Sequence, residues 1–216
     1  MSGLTTFVQS MPLLAHAAIS TIWISLLSLF IGFFIGTGVC AARLSRHAVL
    51  RWIGGVYVGV FRGVPMLVQL LVAYYCLPFI GINVPPLVAA VGTASLCTAS
   101  YIAEIMRGGF LGIPAGQLEA ARVLGMSWFD MLVRIQVPQA LRLTLPALVN
   151  EMILLLKASS LISVVGVEEL TRTAQNVAAS TFEPLPAYLG AAVIYLCING
   201  VLALAGQAAE RRLKIA

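Results

Sequence analysis

Uncharged, apolar stretches long enough to cross a membrane make up most of the sequence. No Asp, Glu, Lys or Arg precedes Arg43, and 41 uncharged residues separate Arg62 from Glu104. The second stretch is about twice the ~20 residues that one helix needs to cross a bilayer, and glycine and proline near its middle indicate a turn. The pattern predicts five transmembrane helices, at about 13–42, 56–80, 86–107, 143–165 and 186–207.

Composition excludes the main alternatives to a membrane protein. The chain is 60% hydrophobic and 10% charged, with a mean hydropathy of +0.99. A soluble domain needs roughly 25% charged residues, a disordered chain is poor in apolar residues, and four scattered cysteines do not make a disulfide scaffold. We therefore predict an all-α polytopic membrane protein whose residues 1–216 form one transmembrane domain.

Lys and Arg are concentrated in alternate connections. Ten of them lie between spans one and two, between spans three and four, or after span five, whereas the other connections hold only Arg172. Because short basic segments resist translocation, this asymmetry predicts an N-terminus outside and a C-terminus in the cytoplasm. The net charge of +5 then reflects topology and needs no nucleic-acid partner. The first span has no basic start, so we expect a retained helix and not a cleaved signal peptide.

Recognisable catalytic and metal-binding motifs do not occur in the sequence. There is no G-x-x-x-x-G-K-[ST] phosphate loop, no G-x-S-x-G elbow and no H-E-x-x-H helix. The four cysteines and two histidines lack metal-ligand spacing. We expect no enzyme activity, no metal site and no cofactor in this chain, so any ATP would be bound by a partner subunit.

The segment at about 113–138 carries the clearest local signals. Pro114 can start a helix, and Gly125 can end it in a left-handed turn. Ser127 and Asp130 then have the spacing of a capping box for a second helix. The segment therefore predicts a helix, a glycine turn and a helix.

Two interpretations of this segment are open, a solvated connector and a docking element. In the docking interpretation, Ala120 and Ala121 offer a small-residue face that a groove of another protein approaches closely. Glu119 and Arg122 give that face a polar edge.

The spacing within this segment resembles a family motif. EAA at residues 119–121 is followed after three residues by Gly125, after nine more by Ile135, and then by Pro138. This pattern resembles the EAA loop of binding-protein-dependent ABC importer permeases, with Val137 where the family usually has leucine.

Two flanking motifs narrow the resemblance. FRGVP at residues 61–65, followed by Gln69, and YIAEIMRGG at residues 101–109 are similar to the polar amino acid permeases. These permeases are of the histidine, arginine, lysine, ornithine and glutamine type. The resemblance covers most of the chain, from Arg43 to the fifth predicted span.

The resemblance implies a type I ABC importer permease fold in a bacterial inner membrane. The helix from Glu119 to Gly125 would be the coupling helix, held in a cleft of a cytoplasmic ATP-binding subunit. Two copies of that subunit, which would bind ATP and Mg²⁺, and a second permease chain, identical or a sister, would complete the transporter. A periplasmic or lipid-anchored binding protein would deliver polar or charged amino acids, or derivatives such as opines.

Polar side chains inside the predicted spans are candidates for substrate binding, because a charge at membrane depth costs ~2.5–3.5 kcal/mol on insertion scales. Arg62 and Gln69 are seven residues apart, which places them on one face of span two, and Pro65 between them frees a backbone carbonyl. Arg62 either binds a substrate carboxylate or extends towards the membrane surface. Gln69 bonds either the ligand or a neighbouring helix.

Four further candidates lie in spans three and four. Glu104 lies one turn from Arg107, so it either binds substrate or forms an intrahelical ion pair. Glu151 has no opposite charge on its own helix face and needs a cation from the substrate or from another helix. Ala158 stands where the resembled family commonly has aspartate, and Ser159 bonds either ligand or its own helix backbone.

Two other functional classes are weighed against the importer. An ion-driven secondary transporter usually shows repeated halves and interrupted helices, and the sequence predicts neither. A membrane-anchored structural subunit would not need Arg62, Gln69 and Glu151 within the bilayer.

Overall fold

The computed structural model describes residues 3–214, with the side chains of residues 3–212. Lys214, one of the basic residues that predict the orientation, therefore has its side chain outside the described part. The helices within this range are α1 (Gly3–Leu44), α2 (Ala48–Gly63), α3 (Met66–Leu71), α4 (Pro86–Leu111), α5 (Ala115–Val123), α6 (Trp128–Met131), α7 (Val137–Ala158), α8 (Leu170–Thr181) and α9 (Pro184–Lys214). Residues 3–214 contain no strand, so the all-α prediction is confirmed.

Small residues let α1 pack closely along α4. A Cβ atom added at Gly32 would lie 3.0 Å from the Ser95 carbonyl oxygen, and one added at Gly36 would lie 2.8 Å from the Ala99 carbonyl oxygen. Lipid offers no hydrophobic driving force between helices, so close backbone packing of this kind has to hold them together. α4 is also the most buried of the long apolar helices, which makes it the centre of the described bundle.

Within residues 3–214, four helical stretches are long and apolar enough to span a membrane: Gly3–Leu44, Pro86–Leu111, Trp128–Val165 and Pro184–Arg212. A fifth candidate is a pair, Ala48–Gly63 and Met66–Ile80, which is bent by 101°. Counting this pair as one span gives the predicted number of five. The predicted span at 56–80 crosses the bend, so the expectation that no span is interrupted is wrong.

Pro65 accounts for the bend between α2 and α3. In a helix the carbonyl of one residue accepts from the N–H four residues later, and proline has no N–H to donate. Pro65 thereby removes the helical partner of the Phe61 carbonyl. The residue before a proline also avoids helical geometry, and Val64 is extended, with φ −100° and ψ 132°.

Two wider π-helical turns have the same origin. They span Val72–Cys76 and Leu132–Gln136, and they lie just ahead of Pro78 and Pro138. A missing proline N–H is accommodated by shifting the local hydrogen-bond register. The second turn joins α6 to α7 without ending the helix, so Trp128–Val165 is one helical element.

A fully buried carboxylate starts α8. Glu169 is 0% exposed and caps the helix by accepting from the backbone N–H groups of Thr171 at 2.9 Å and Arg172 at 2.7 Å. The Tyr195 hydroxyl, from α9, donates to the same carboxylate at 3.0 Å. Burial raises the pKa of Glu169 above its ordinary value, while these hydrogen bonds act in the opposite direction. The carboxylate therefore fastens α8 to α9.

Candidate transport site and coupling segment

The break between α2 and α3 leaves open backbone acceptors, and one side chain fills them. The Gln69 amide nitrogen donates to the Phe61 carbonyl at 3.0 Å and to the Val64 carbonyl at 2.8 Å. The prediction that Pro65 frees a backbone carbonyl is therefore confirmed. The other amide atom of Gln69, Oε1, is buried and has no hydrogen-bond partner among the described residues.

Arg62 lies at the end of α2, beside this junction. Its guanidinium carbon is 5.1 Å from the centre of the Tyr101 ring on α4, a cation–π contact. It forms no salt bridge within the described part of the chain, and stacking leaves the N–H edge of the guanidinium free for a planar carboxylate. Because Pro65 interrupts the helix, the prediction that Arg62 and Gln69 share one face of a continuous helix is wrong.

Glu151, on α7, is the buried acid of this region. Its side chain is 6% exposed, and its carboxylate makes neither a hydrogen bond nor a salt bridge to any residue that the structure describes. Its oxygens are not among the fully enclosed atoms without a partner, so they keep some accessible surface. A largely buried acid that no cation of the chain neutralises is suited to bind a cation from outside.

The end of α7 holds the two remaining candidates from the fourth predicted span. Ala158 is the last residue of α7 and has no polar side-chain atom. Ser159 is buried, and its hydroxyl donates to the Leu156 carbonyl at 2.8 Å. The single hydroxyl hydrogen of Ser159 is therefore used within its own helix.

Glu104 is held by two arginines. The Arg107 Nη2 atom lies 2.6 Å from one carboxylate oxygen, so of the two alternatives that the sequence left open for Glu104 the intrahelical ion pair is present. The Arg43 Nε atom, from α1, lies 3.1 Å from the other. The Arg43 side chain passes close to α2 at Gly55. A Cβ atom added at Gly55 would lie 2.8 Å from the Arg43 Nη1 atom, so glycine leaves the space that the arginine occupies. Glu104 thus joins α1 to α4 and is fully occupied by cations.

The predicted helix, glycine turn and helix are confirmed in the coupling segment. Gly125 separates α5 from α6 with φ +75°, a left-handed conformation that other residues adopt only with strain. Ser127 caps α6, accepting the Asp130 N–H at 3.1 Å, as the capping-box spacing predicts.

The surface of α5 differs in part from the predicted docking face. Glu119, Ala120 and Arg122 are exposed, whereas Ala121 is 3% exposed and packs within the chain. The prediction that Ala121 belongs to an exposed small-residue face is therefore wrong. The exposed surface continues instead into apolar side chains, with Val123 88% and Leu124 80% exposed.

A hydrogen bond connects α5 directly to α7. The Gln139 amide nitrogen donates to the Gln117 side-chain oxygen at 2.6 Å. Since α7 also carries Glu151, a displacement of α5 acts on the helix that holds the buried acid. The second half of the segment, from Trp128, and Glu151 thus lie in the single helical element Trp128–Val165, and α5 is joined to that element by this hydrogen bond.

The sequence interpretation missed Arg43 and Tyr101 as partners of the candidate residues. Arg43 precedes Glu104 by 61 positions, and no local pattern joins them. Tyr101 was visible only as the first residue of a matched motif. The helix break had a signal that was available, because the residue before Pro65 is disfavoured in a helix.

Comparison with known proteins gives consistent relatives. The model of the family described as "Binding-protein-dependent transport system inner membrane component" matches residues 28–215. The chain is 39% identical over 208 residues to the glutamine transport system permease protein GlnP of Escherichia coli (strain K12), covering 95% of each chain. It is 35% identical over 213 residues to the nopaline transport system permease protein NocM of Agrobacterium fabrum, covering 94% of this chain and 88% of that one.

A solved structure matches the fold over nearly its whole length. It is described as the crystal structure of an amino acid ABC transporter with histidines, and it gives a TM-score of 0.92 at 33% identity, covering 98% of this chain and 99% of that one. The resemblance found in the EAA segment and its flanking motifs is thus confirmed. The chain belongs to the family of binding-protein-dependent transport system inner membrane components.

Proposed function

We propose that this chain is the permease subunit of an ABC importer and forms, with a second permease chain, the translocation pathway for polar or charged amino acids. The glutamine and amino acid transporters among its relatives support this substrate class. The nopaline relative supports amino acid derivatives as a second candidate cargo carried by the same mechanism.

The observation that carries the proposal is the buried side chain of Glu151, which has no partner among the described residues, together with Arg62, which has no salt bridge there. An α-amino acid carries an ammonium and a carboxylate on one carbon. Glu151 would bind the ammonium, and Arg62, oriented by Tyr101, would bind the carboxylate in a two-pronged pair. The free Oε1 atom of Gln69 would accept a further hydrogen bond. Glu104 has two arginine partners already and lies outside this site.

The coupling segment would transmit ATP-driven motion to this site. An exposed surface that combines Glu119, Ala120 and Arg122 with the apolar Val123 and Leu124 suits a groove on a partner protein. Movement of α5 would pass to α7 through the rigid turn at residues 124–127 and the bond between α5 and α7, and so reach Glu151. The substrate can bias the two states only by binding them unequally.

The remaining parts of the transporter follow from the family's name, which specifies a binding protein and an inner membrane. Two cytoplasmic subunits would bind ATP with Mg²⁺, so this chain would itself be non-catalytic. A periplasmic or lipid-anchored binding protein would deliver the substrate. The basic connections would lie in the cytoplasm together with the C-terminus, and the N-terminus would lie outside.

The broken α2–α3 pair weakens one argument against an ion-driven transporter, because interrupted helices are common in that class. The exposed coupling segment still favours the importer, since a self-sufficient transporter has no use for an exposed apolar docking surface in a basic connection.

The experiment that tests the proposal is purification of the tagged chain from its native membranes in mild detergent, with co-purifying proteins identified by mass spectrometry. A Gly125→Leu variant forces leucine into the left-handed conformation at φ +75° and should lose a co-purifying ATPase. Gly38→Leu is the matched control, because Gly38 is a helical residue with nothing within 4 Å of an added Cβ atom.

We expect an ATPase with the intact chain and with Gly38→Leu, and none with a folded, monodisperse Gly125→Leu variant. An ATPase that stays with Gly125→Leu would contradict the docking role of α5. The lack of an ATPase in every sample would favour an ion-driven or structural role.

A further inference from the structure

A large cavity lies where α1 and α4 face the helical element Trp128–Val165. Its volume is about 1130 Å³, and its walls are mainly apolar, with Phe33, Phe110 and Leu141 among them. None of the residues proposed to bind substrate or the ATPase lines it. A polar amino acid would lose its hydration there with few polar partners in return, so the cavity is not a second part of the transport site.

Two basic side chains stand on the exposed rim of this cavity. Arg46 and His47, in the connection between α1 and α2, line it, and neither side chain has a hydrogen bond or ion pair within the described part of the chain. The connection itself is braced, because the Arg51 guanidinium donates to the carbonyls of Ser45 at 3.1 Å and Arg46 at 2.8 Å. The described residues that line the cavity include no Asp or Glu.

We propose that this cavity binds an anionic phospholipid, with the phosphate against Arg46 and His47 and an acyl chain between Phe33 and Leu141. An apolar space beneath an unpaired arginine, with the imidazole of His47 beside it as a hydrogen-bond donor, has the charge pattern of such a lipid. Trp128, an amphipathic residue of the kind enriched at membrane interfaces, lines the cavity from the coupling segment. The choice of the cytoplasmic leaflet rests on the orientation given under the proposed function.

The bound lipid would hold α1 against the helical element Trp128–Val165. One wall of the cavity belongs to α1, and the opposite wall belongs to the helical element Trp128–Val165, which carries Glu151 and follows α5 directly in the chain. A lipid that fills the space between them favours the arrangement in which they are packed. Transport coupled to ATP hydrolysis therefore falls when anionic lipid is replaced by neutral lipid.

The first test measures lipid retention by the intact transporter complex. The complex is purified in mild detergent, phosphatidylglycerol or phosphatidylcholine is added, and bound lipid is counted by native mass spectrometry. Phosphatidylglycerol should be retained selectively. Arg46→Gln should weaken its binding about fivefold, the usual effect of one surface cation on an anionic lipid. Arg212→Gln is the matched control, since it removes an exposed arginine from the end of α9, away from the cavity.

Two further variants test the apolar part of the cavity separately from its rim. Ala41→Trp fills the cavity while keeping Arg46 and His47, and it should also abolish selective retention. A photo-crosslinking residue in place of Leu141 should capture phospholipid. The proposal would be overturned if the intact complex and all variants retained phosphatidylglycerol and phosphatidylcholine equally. Crosslinking from position 141 to a second permease chain would also overturn it. Co-purification of the ATPase is scored in the same samples, so failure of the lipid site is distinguished from failure of the importer assignment.

Discussion

Two buried glutamates in this chain have opposite surroundings. Glu169 is 0% exposed, and its carboxylate accepts from two backbone N–H groups and the Tyr195 hydroxyl. Glu151 is 6% exposed, and its carboxylate accepts from no described residue. Burial alone would rank the two acids together. Their hydrogen-bond partners separate them.

The difference assigns the two acids different tasks. A satisfied carboxylate at a helix start stabilises the fold, because it fills the open N–H groups that every helix N-terminus has. A buried acid without a partner lowers stability and is a candidate for function by default. Glu169 therefore holds α8 against α9, and we propose that Glu151 binds a cation that arrives from outside the chain.

The largest expected effect is loss of transport in Glu151→Gln. Removing the negative charge removes the counterion of the substrate ammonium, and uptake should fall at least roughly tenfold, the effect of about 1.4 kcal/mol. The same variant should unfold at a higher temperature than the intact chain, because an unpaired buried charge has been neutralised. Substrate uptake is measured in proteoliposomes that contain the complete transporter. Stability is measured by thermal unfolding of the purified chain.

Glu168→Gln is the control for that variant. Glu168 is an exposed acid in the connection before α8, so its replacement should change neither uptake nor thermal stability. Full uptake by Glu151→Gln would remove Glu151 from the transport site. A lower unfolding temperature would show that its carboxylate stabilises the fold after all.

Glu169→Gln should lower stability and leave uptake unchanged, the reverse of what we expect for Glu151→Gln. Glutamine keeps the size of the side chain but replaces one acceptor oxygen by an N–H₂ group, which faces the backbone donors of Thr171 and Arg172. We expect a loss of stability of about 2 kcal/mol, with uptake per folded molecule unchanged. A variant with normal stability and impaired uptake would show that this buried acid, too, belongs to the transport pathway.

The sequence could predict the helical fold because its signals are local. Length, apolarity and the spacing of prolines and glycines are carried by neighbouring residues, and the turn at Gly125 with its cap at Ser127 followed directly from them. The bend of 101° did not follow. Pro65 occurs inside an apolar run, and prolines elsewhere in this chain, such as Pro146 in α7, are accommodated without a break.

Only the local partner of Glu104, Arg107, could be predicted, because the other partners of the candidate residues come from distant helices. The sequence already separated Glu104, one turn from Arg107, from Glu151, which has no opposite charge on its helix face. Only the packing of α1 beside α4 brings Arg43 to Glu104, and only the folded bundle leaves Glu151 without a hydrogen bond. The sequence indicates which polar groups are buried in a membrane, but not which of them the fold satisfies.

Glu104 is intermediate between Glu169 and Glu151 in how its carboxylate is satisfied. Its carboxylate is satisfied, but by the charges of Arg43 and Arg107 and not by a helix start. Glu104→Gln leaves two arginines without their counterion, and we expect a loss of stability of about 1–2 kcal/mol. A double-mutant cycle with Arg43→Gln should give a coupling energy near 1 kcal/mol. Measurable change in substrate KM, with no change in stability, would instead restore Glu104 to the substrate site.

The smallest expected effect is the pH dependence that Glu169 confers. Burial raises its pKa in the folded chain, whereas the unfolded chain keeps the ordinary value. Between these two values the folded state binds a proton that the unfolded state does not, so stability falls as pH rises through this window. The intact chain should therefore exceed Glu169→Gln in stability by the largest margin at low pH. The margin should shrink as pH rises from the unfolded pKa through the folded pKa and stay constant above it. Thermal unfolding at a series of pH values measures the margin, with Glu168→Gln as the control substitution at an exposed neighbouring acid. A margin that grew with pH would mean that the hydrogen bonds to Thr171, Arg172 and Tyr195 outweigh burial and hold the carboxylate ionised, which would make the contrast with Glu151 stronger still.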